Sequence, residues 1–199
     1  MFSNIVKFLD DPFFLAIDLG TETLPALALG TERSEAGVMN FPPRPRGKGL
    51  VDKTLLFRGY VFLGLLNTAA VLAAYFWVLY QGGWRPGAQL EPNETTFLNP
   101  LHLKAMTVVF VGIVVMQIAN VFACRSETLS VFKMGLWGNR LIFWGILFEL
   151  LFTCVLVYLP FFQHIFNTIG IGWNEWGILV IFMVVIFFLE ESRKRVLAK

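Results

Sequence analysis

Charged residues are scarce in this chain of 199 residues. Asp, Glu, Lys and Arg make up 15% of it and hydrophobic residues 56%, whereas soluble domains carry about 25% charged residues. The deficit argues against a soluble domain with a large core and predicts an integral membrane protein. Only two cysteines are present, which argues against a disulfide framework. Residues 1–14 show no small-residue cleavage pattern, so we expect no cleavable signal peptide.

Five apolar runs follow one another along the chain, and each is near the length of about 20 residues that crosses a bilayer as a helix. The sequence therefore predicts an all-α membrane protein, a bundle of about five transmembrane helices over residues 13–199, with residues 1–12 unassigned. The predicted runs are 13–30, 57–80, 105–124, 141–160 and 174–189.

Positive charge alternates between the connections of these runs. The loops 31–56 and 125–140 and the C-terminus are basic, while the loops 81–103 and 161–173 are nearly free of Lys and Arg. Because basic loops stay in the cytosol, we expect a multi-pass protein of the cell membrane with its C-terminus cytosolic. An odd number of spans with an exported N-terminus is typical of a fragment of a larger bundle.

The first apolar run carries two carboxylates, Asp18 and Glu22, four residues apart. A helix would place them on one face, one turn apart. Thr21 adds a hydroxyl, and Gly20 and Pro25 weaken the helix around the acids. Carboxylate, hydroxyl and freed carbonyl oxygens are the ligands that hard cations prefer, and opened helices near the bilayer midplane build ion sites in transporters.

Two acids make this run expensive to bury. Together they cost about 5–7 kcal/mol at the bilayer centre, which the apolar residues of the run roughly cancel at best. We therefore expect the run to need neighbouring helices, a bound cation or protonation. The alternative is an interfacial helix with its acids in water. Glu32 lies in the following loop, and Glu32→Gln is expected to leave cation affinity unchanged.

Two amides, Gln117 and Asn120, lie three residues apart in the third run and so share one helix face. Hydrogen bonding between helices is common for membrane amides and, from these residues alone, is the favoured explanation. Glu149 is the single acid of the fourth run.

The order of the motifs resembles the membrane helices six to ten of cation-transporting P-type ATPases, with the sodium/potassium pumps closest and the calcium pumps next. Residues 17–26 resemble the sixth helix of that family, and the proline-rich segment 38–45 resembles the loop after it. The remaining matches are 112–120 with helix eight, 130–135 with the next loop, 139–149 with helix nine and 189–194 with the end of helix ten.

The resemblance implies an ion pump in which Asp18, Thr21 and Glu22 match ligand positions of helix six. Gln117 matches a ligand position of helix eight, and Asn120 lies one turn further in the same region. Glu22 stands where the family usually has Asp. The positions of Asn120 and Leu150 are acidic in sodium pumps, so these two departures weaken the case for a third sodium site.

The phosphorylated motif of the family, Asp-Lys-Thr-Gly-Thr, is matched only as Asp52-Lys53-Thr54, which we interpret as a solvated loop. The chain is thus expected to be the C-terminal membrane domain of such a pump, truncated or separately encoded, without ATPase activity of its own.

The implied cargo is a sodium, potassium or calcium-class cation, with ATP and Mg²⁺ bound only by the missing domains. The implied partners are the lipid bilayer and the remaining half of a pump, and no nucleic acid is expected. The alternatives are a small membrane protein that binds or regulates an intact pump, and a non-functional remnant.

Overall fold

The computed structural model describes residues 21–32, 51–87, 100–126 and 129–197. Within these ranges the ordered elements are all helical, which confirms the predicted all-α class. The unassigned segment 1–12 and the first half of the first apolar run, with Asp18, lie outside the described residues.

Long helices correspond to the second to fifth apolar runs, and α1 to the end of the first. Helix α2 is continuous, although Phe57–Leu63 within it has the wider π-helical winding. A turn of 3₁₀ helix, Leu136–Gly138, follows α4. The helices are α1 (Thr23–Gly30), α2 (Lys53–Gln81), α3 (Pro100–Cys124), α4 (Val131–Met134), α5 (Arg140–Tyr158), α6 (Pro160–Phe166) and α7 (Trp173–Leu197).

Three of these helices, α2, α3 and α5, are long and apolar enough to cross a membrane. Helix α7 has 25 residues, and its residues 177–189 carry no charge. The expected total of about five spans and the correspondence to helices six to ten of a pump stay predictions.

The helices extend beyond the apolar runs because polar residues stabilise their ends. The Asp52 side chain caps the start of α2 by accepting a 2.8 Å hydrogen bond from the Leu55 backbone N–H. Helix α7 continues past its apolar stretch because Glu190 pairs with Arg193 and Glu191 with Lys194, each three residues on. The predicted loops at 125–140 and 161–173 also contain the short helices α4 and α6, which the apolar pattern did not reveal.

Helix α3 forms the centre of the bundle between α2 and α7. Its Phe110, Val111 and Val114 are fully buried. A Cβ atom on Gly112 would lie 3.2 Å from Leu179 of α7 and 3.4 Å from Val71 of α2. Small residues allow membrane helices to approach closely, where packing rather than the hydrophobic effect drives association.

Helix α1 packs against α5 through a similar close approach. A Cβ atom on Gly145 of α5 would lie 3.3 Å from the backbone nitrogen of Pro25. This contact fixes α1 on one side. The face of α1 that carries Glu22 is left open, since the Glu22 side chain is exposed in this chain.

Candidate functional site

The Glu22 carboxylate lies where the winding of the first helix changes. Thr21 and Glu22 have π-helical winding, and the α-helical winding of α1 begins at Thr23. Pro25 is the third residue of α1, a position near the N-terminus where a missing N–H costs little. The winding of this helix therefore changes at Thr21 and Glu22, and Gly20, where the sequence suggested a weakened helix, lies outside the described residues.

Glu22 is joined to helix α3 by a direct hydrogen bond. The Gln117 Nε2 donates to Glu22 Oε1 over 2.7 Å, across 95 residues of sequence. Because the amide nitrogen of Gln117 faces the carboxylate, its oxygen points elsewhere. That oxygen is buried and has no hydrogen-bond partner among the described residues.

A cavity of about 390 Å³ opens beside this pair. Asn120 of α3 and Asn67 of α2 contribute their amides to its wall, and the Oδ1 atoms of both are buried without a hydrogen-bond partner in the described part of the chain. The lining residues are Glu22, Asn67, Thr68, Val71, Leu72, Ile113, Met116, Gln117 and Asn120.

The structure brings together three of the five residues that the sequence singled out: Glu22, Gln117 and Asn120. Thr21 is fully buried next to Glu22 and is outside the set that lines the cavity. Asp18 lies outside the described residues. The sequence reasoning overlooked Asn67, although a lone amide in the apolar run 57–80 was a signal that could have found it.

Three of the residues that line this otherwise largely apolar cavity have a buried amide oxygen with no hydrogen-bond donor among the described residues. Leaving a buried acceptor unsatisfied costs about 1–3 kcal/mol, and three amide oxygens are in that state here. Within the described ranges, no three His, Cys, Asp or Glu side chains come together. Amide and carboxylate oxygens are ligands for hard cations, so a desolvated cation is the partner that this chemistry fits.

Glu149 lies on the other side of α1. Its side chain is fully buried, as the sequence predicted, and neither carboxylate oxygen has a hydrogen-bond partner in the described chain. Glu149 follows Gly145 by one turn, so it continues the face of α5 that packs against α1. A second carboxylate is thus buried close to the start of α1.

Glu32, the expected control position for cation affinity, is an anchor for the end of α1. Its Oε1 accepts from Arg125 NH2 over 2.9 Å and its Oε2 from Arg125 Nε over 3.1 Å. Asn139 Nδ2 donates both to Glu32 Oε2 and to the Ala28 carbonyl oxygen, over 3.1 and 2.8 Å. Glu32 therefore has a structural role that its position in a loop did not suggest, since the Arg125 side chain is 1% exposed.

The Asp52-Lys53-Thr54 triplet starts a helix. Asp52 is the N-cap of α2, and Lys53 and Thr54 are its first residues, so only Asp52 itself lies outside the helix. Its carboxylate satisfies a backbone N–H, the usual role of Asp at this position.

Comparison with known proteins adds the family context. The family described as "Cation transporting ATPase, C-terminus" matches residues 14–196. Potassium-transporting ATPase alpha chain 1 of Xenopus laevis is 30% identical over 200 residues, which are 90% of this chain and 19% of that protein. Sodium/potassium-transporting ATPase subunit alpha-4 of Rattus norvegicus is 28% identical over 206 residues, 93% of this chain and 20% of that protein. The chain spans about a fifth of the length of these relatives.

Proposed function

The chain belongs to the family of cation-transporting ATPase C-terminal domains, and we propose that it supplies one side of the cation-binding site of a P-type pump. In this proposal Glu22 is the charged ligand, and Gln117 and Asn120 provide amide oxygens. Asp18 and Thr21 are the further ligands that the resemblance to helix six implies.

The hydrogen bond between Glu22 and Gln117 carries the proposal. It holds a carboxylate and an amide from two helices at one cavity, and it leaves the Gln117 oxygen without a donor among the described residues. A cation would satisfy the oxygens that the hydrogen bond leaves over.

The rest of the pump is the proposed partner of the open face of α1. Glu22 is exposed in this chain, yet a charge facing lipid costs several kcal/mol. Helices from the missing part of a pump would cover it and complete the ligand shell. ATP and Mg²⁺ would bind to the domains of that part, and the cargo is proposed to be a sodium, potassium or calcium-class cation.

The proposed location is the cell membrane, with the C-terminus and the loop 31–56 in the cytosol. The alternation of basic and cation-poor loops supports this orientation. Two ion pairs would then lie at the cytosolic ends of the helices. They are Glu32–Arg125, at 2.9 Å, and Glu190–Arg58, at 2.6 Å.

Cation binding by the full chain in lipid nanodiscs tests the proposal. The linewidth of the ²³Na⁺ resonance reports immobilised sodium even at millimolar affinity, and K⁺ or Ca²⁺ added as competitors should narrow it. Glu22→Gln keeps the shape and removes one charge, so we expect an affinity loss of about tenfold or more, equivalent to about 1.4 kcal/mol and upward. Asp52→Asn is the matched control, because Asn also caps helices.

Two results would count against the proposal. Wild-type chain that gives no saturable broadening would favour the alternative of a small membrane protein that binds an intact pump. Equal loss in Glu22→Gln and Asp52→Asn would show that net charge, rather than this cavity, attracts the ion.

A further inference from the structure

We propose that Asn67 of α2 is a ligand of the same cation, so that the helix after the first apolar run belongs to the site. This inference rests on the proposed function and extends it to a helix that the sequence analysis did not connect with cation binding. The juxtaposition at a single cavity of one carboxylate and three amide oxygens that have no donor among the described residues supports it.

The packing of α2 against α3 determines the level of Asn67. The two helices run antiparallel: Gly82 at the end of α2 lies against Leu101 at the start of α3, and Val71 lies against Gly112. A position one turn before Val71 on α2 therefore lies opposite a position one turn after Gly112 on α3. That step brings Asn67 to the level of Met116, next to Gln117 and one turn from Asn120.

The position is held from both ends of the α2–α3 interface. Below Asn67, Arg58 donates from NH2 to the Ala123 carbonyl oxygen over 2.8 Å and to Glu190 Oε1 over 2.6 Å. Above it, Ala74 and Val78 are buried in the main core. Helix α2 is thus fixed against α3 on both sides of the cavity, so the Asn67 amide stays beside the amides of α3.

The hydrogen bonding of the amides that line the cavity distinguishes a cation ligand from a structural amide. Amides that join membrane helices form hydrogen bonds with a partner across the interface. The Oδ1 atoms of Asn67 and Asn120 and the Oε1 atom of Gln117 are all buried, and none has a donor among the described residues. One hard cation binds several such oxygen atoms at once, whereas each donated hydrogen satisfies one acceptor.

If Asn67 is an uncharged oxygen ligand, its substitution by Leu and by Asp should change cation affinity in different ways. Asn67→Leu removes the oxygen at similar volume. Asn67→Asp keeps an oxygen at the same place and adds a negative charge, which strengthens binding of divalent cations more than of monovalent ones because Coulomb attraction scales with ion charge. A structural amide remote from the ion would leave the ratio of Ca²⁺ to Na⁺ affinity nearly unchanged, because Coulomb attraction falls with distance.

The experiment is the ²³Na⁺ linewidth titration of the full chain in nanodiscs, with Ca²⁺ and K⁺ as competitors and the melting temperature measured on the same samples. For Asn67→Leu we expect Na⁺ affinity to fall about three- to tenfold, the change that loss of one neutral oxygen contact brings. For Asn67→Asp we expect retained Na⁺ binding and a Ca²⁺/Na⁺ affinity ratio that rises about tenfold or more. Ala74→Val, about two turns nearer the other end of α2, is the control for disturbed packing, because Ala74 is fully buried.

The outcomes separate this inference from the proposed function. If Glu22→Gln loses Na⁺ affinity while both Asn67 variants bind Na⁺ and Ca²⁺ like the wild type, Asn67 is not a ligand and the proposed function stands. If Asn67→Leu melts early, an unchanged Ca²⁺/Na⁺ ratio in a stably folded Asn67→Asp overturns the inference on its own. If the wild type binds no cation, both claims fail.

Discussion

Removing the Glu32 carboxylate should loosen the end of α1 and lower the stability of the whole chain. Glu32→Gln is the least disruptive form of this change, since it keeps the shape of the side chain. The variant would leave the Arg125 guanidinium without its charged partner, at a site where the Arg125 side chain is 1% exposed and that of Glu32 is 15% exposed.

The geometry sets the size of the effect. Breaking a buried ion pair by removing one partner costs about 3–5 kcal/mol. Arg125 would keep its 3.0 Å hydrogen bond from NH1 to the Gly135 carbonyl oxygen, and Asn139 would keep the Ala28 carbonyl. We therefore expect the lower end of that range, about 3 kcal/mol, which corresponds to a fall in Tm of about 6–12 °C for a chain of this size.

Thermal unfolding in nanodiscs, followed by intrinsic tryptophan fluorescence, measures the change. Asp52→Asn serves as the control because it also removes one loop carboxylate but preserves a helix cap. A double-mutant cycle with Arg125→Gln should give a coupling of about 1 kcal/mol or more, as expected for residues in one network. A Tm for Glu32→Gln within 1–2 °C of wild type, or about that of the control, would refute the claim that this pair anchors α1.

Two further predictions concern the chain as a whole. The charge of the loops predicts that reporter fusions at Gly47, Glu127 and Lys199 give cytosolic signals and that fusions at Gln89 and Gln163 do not. Cytosolic signals at Gln89 and Gln163 would contradict the orientation. A purified preparation of these 199 residues should hydrolyse no ATP at any cation concentration, because phosphoryl transfer needs a nucleotide cradle, a metal site and an acceptor; cation-stimulated hydrolysis that Asp52→Asn abolishes would show that the Asp52 triplet is more than a helix start.

Helices were easier to predict from the sequence than their ends. Long apolar runs identified α2, α3, α5 and α7, because length and composition decide whether a segment can span a bilayer. The ends depended on individual polar contacts, such as the Asp52 cap and the Glu190–Arg193 pair, which hydropathy does not detect. The short helices α4 and α6 begin with local signals, the Ser130 cap and Pro160 in the first position, which an apolar pattern does not detect.

The candidate site could be predicted only in part. The spacing of Gln117 and Asn120 placed them on one face, but nothing local connects Gln117 with Glu22, which is 95 residues away. From the sequence, only the resemblance to a pump family placed Gln117 and Glu22 in the same site. The contacts of Asn67 and Glu32 were overlooked for a common reason: their neighbours come from segments distant in sequence.

The location of a heavy monovalent cation in crystals of the protein tests the central claim most directly. Tl⁺ replaces K⁺ or Na⁺ in oxygen sites and gives an anomalous signal that marks its position. We predict an anomalous peak in direct contact with the Glu22 carboxylate and the Gln117 and Asn120 amide oxygens, and no peak there in Glu22→Gln crystals. Tl⁺ peaks confined to the protein surface, with the cavity empty in the wild type, would contradict the account.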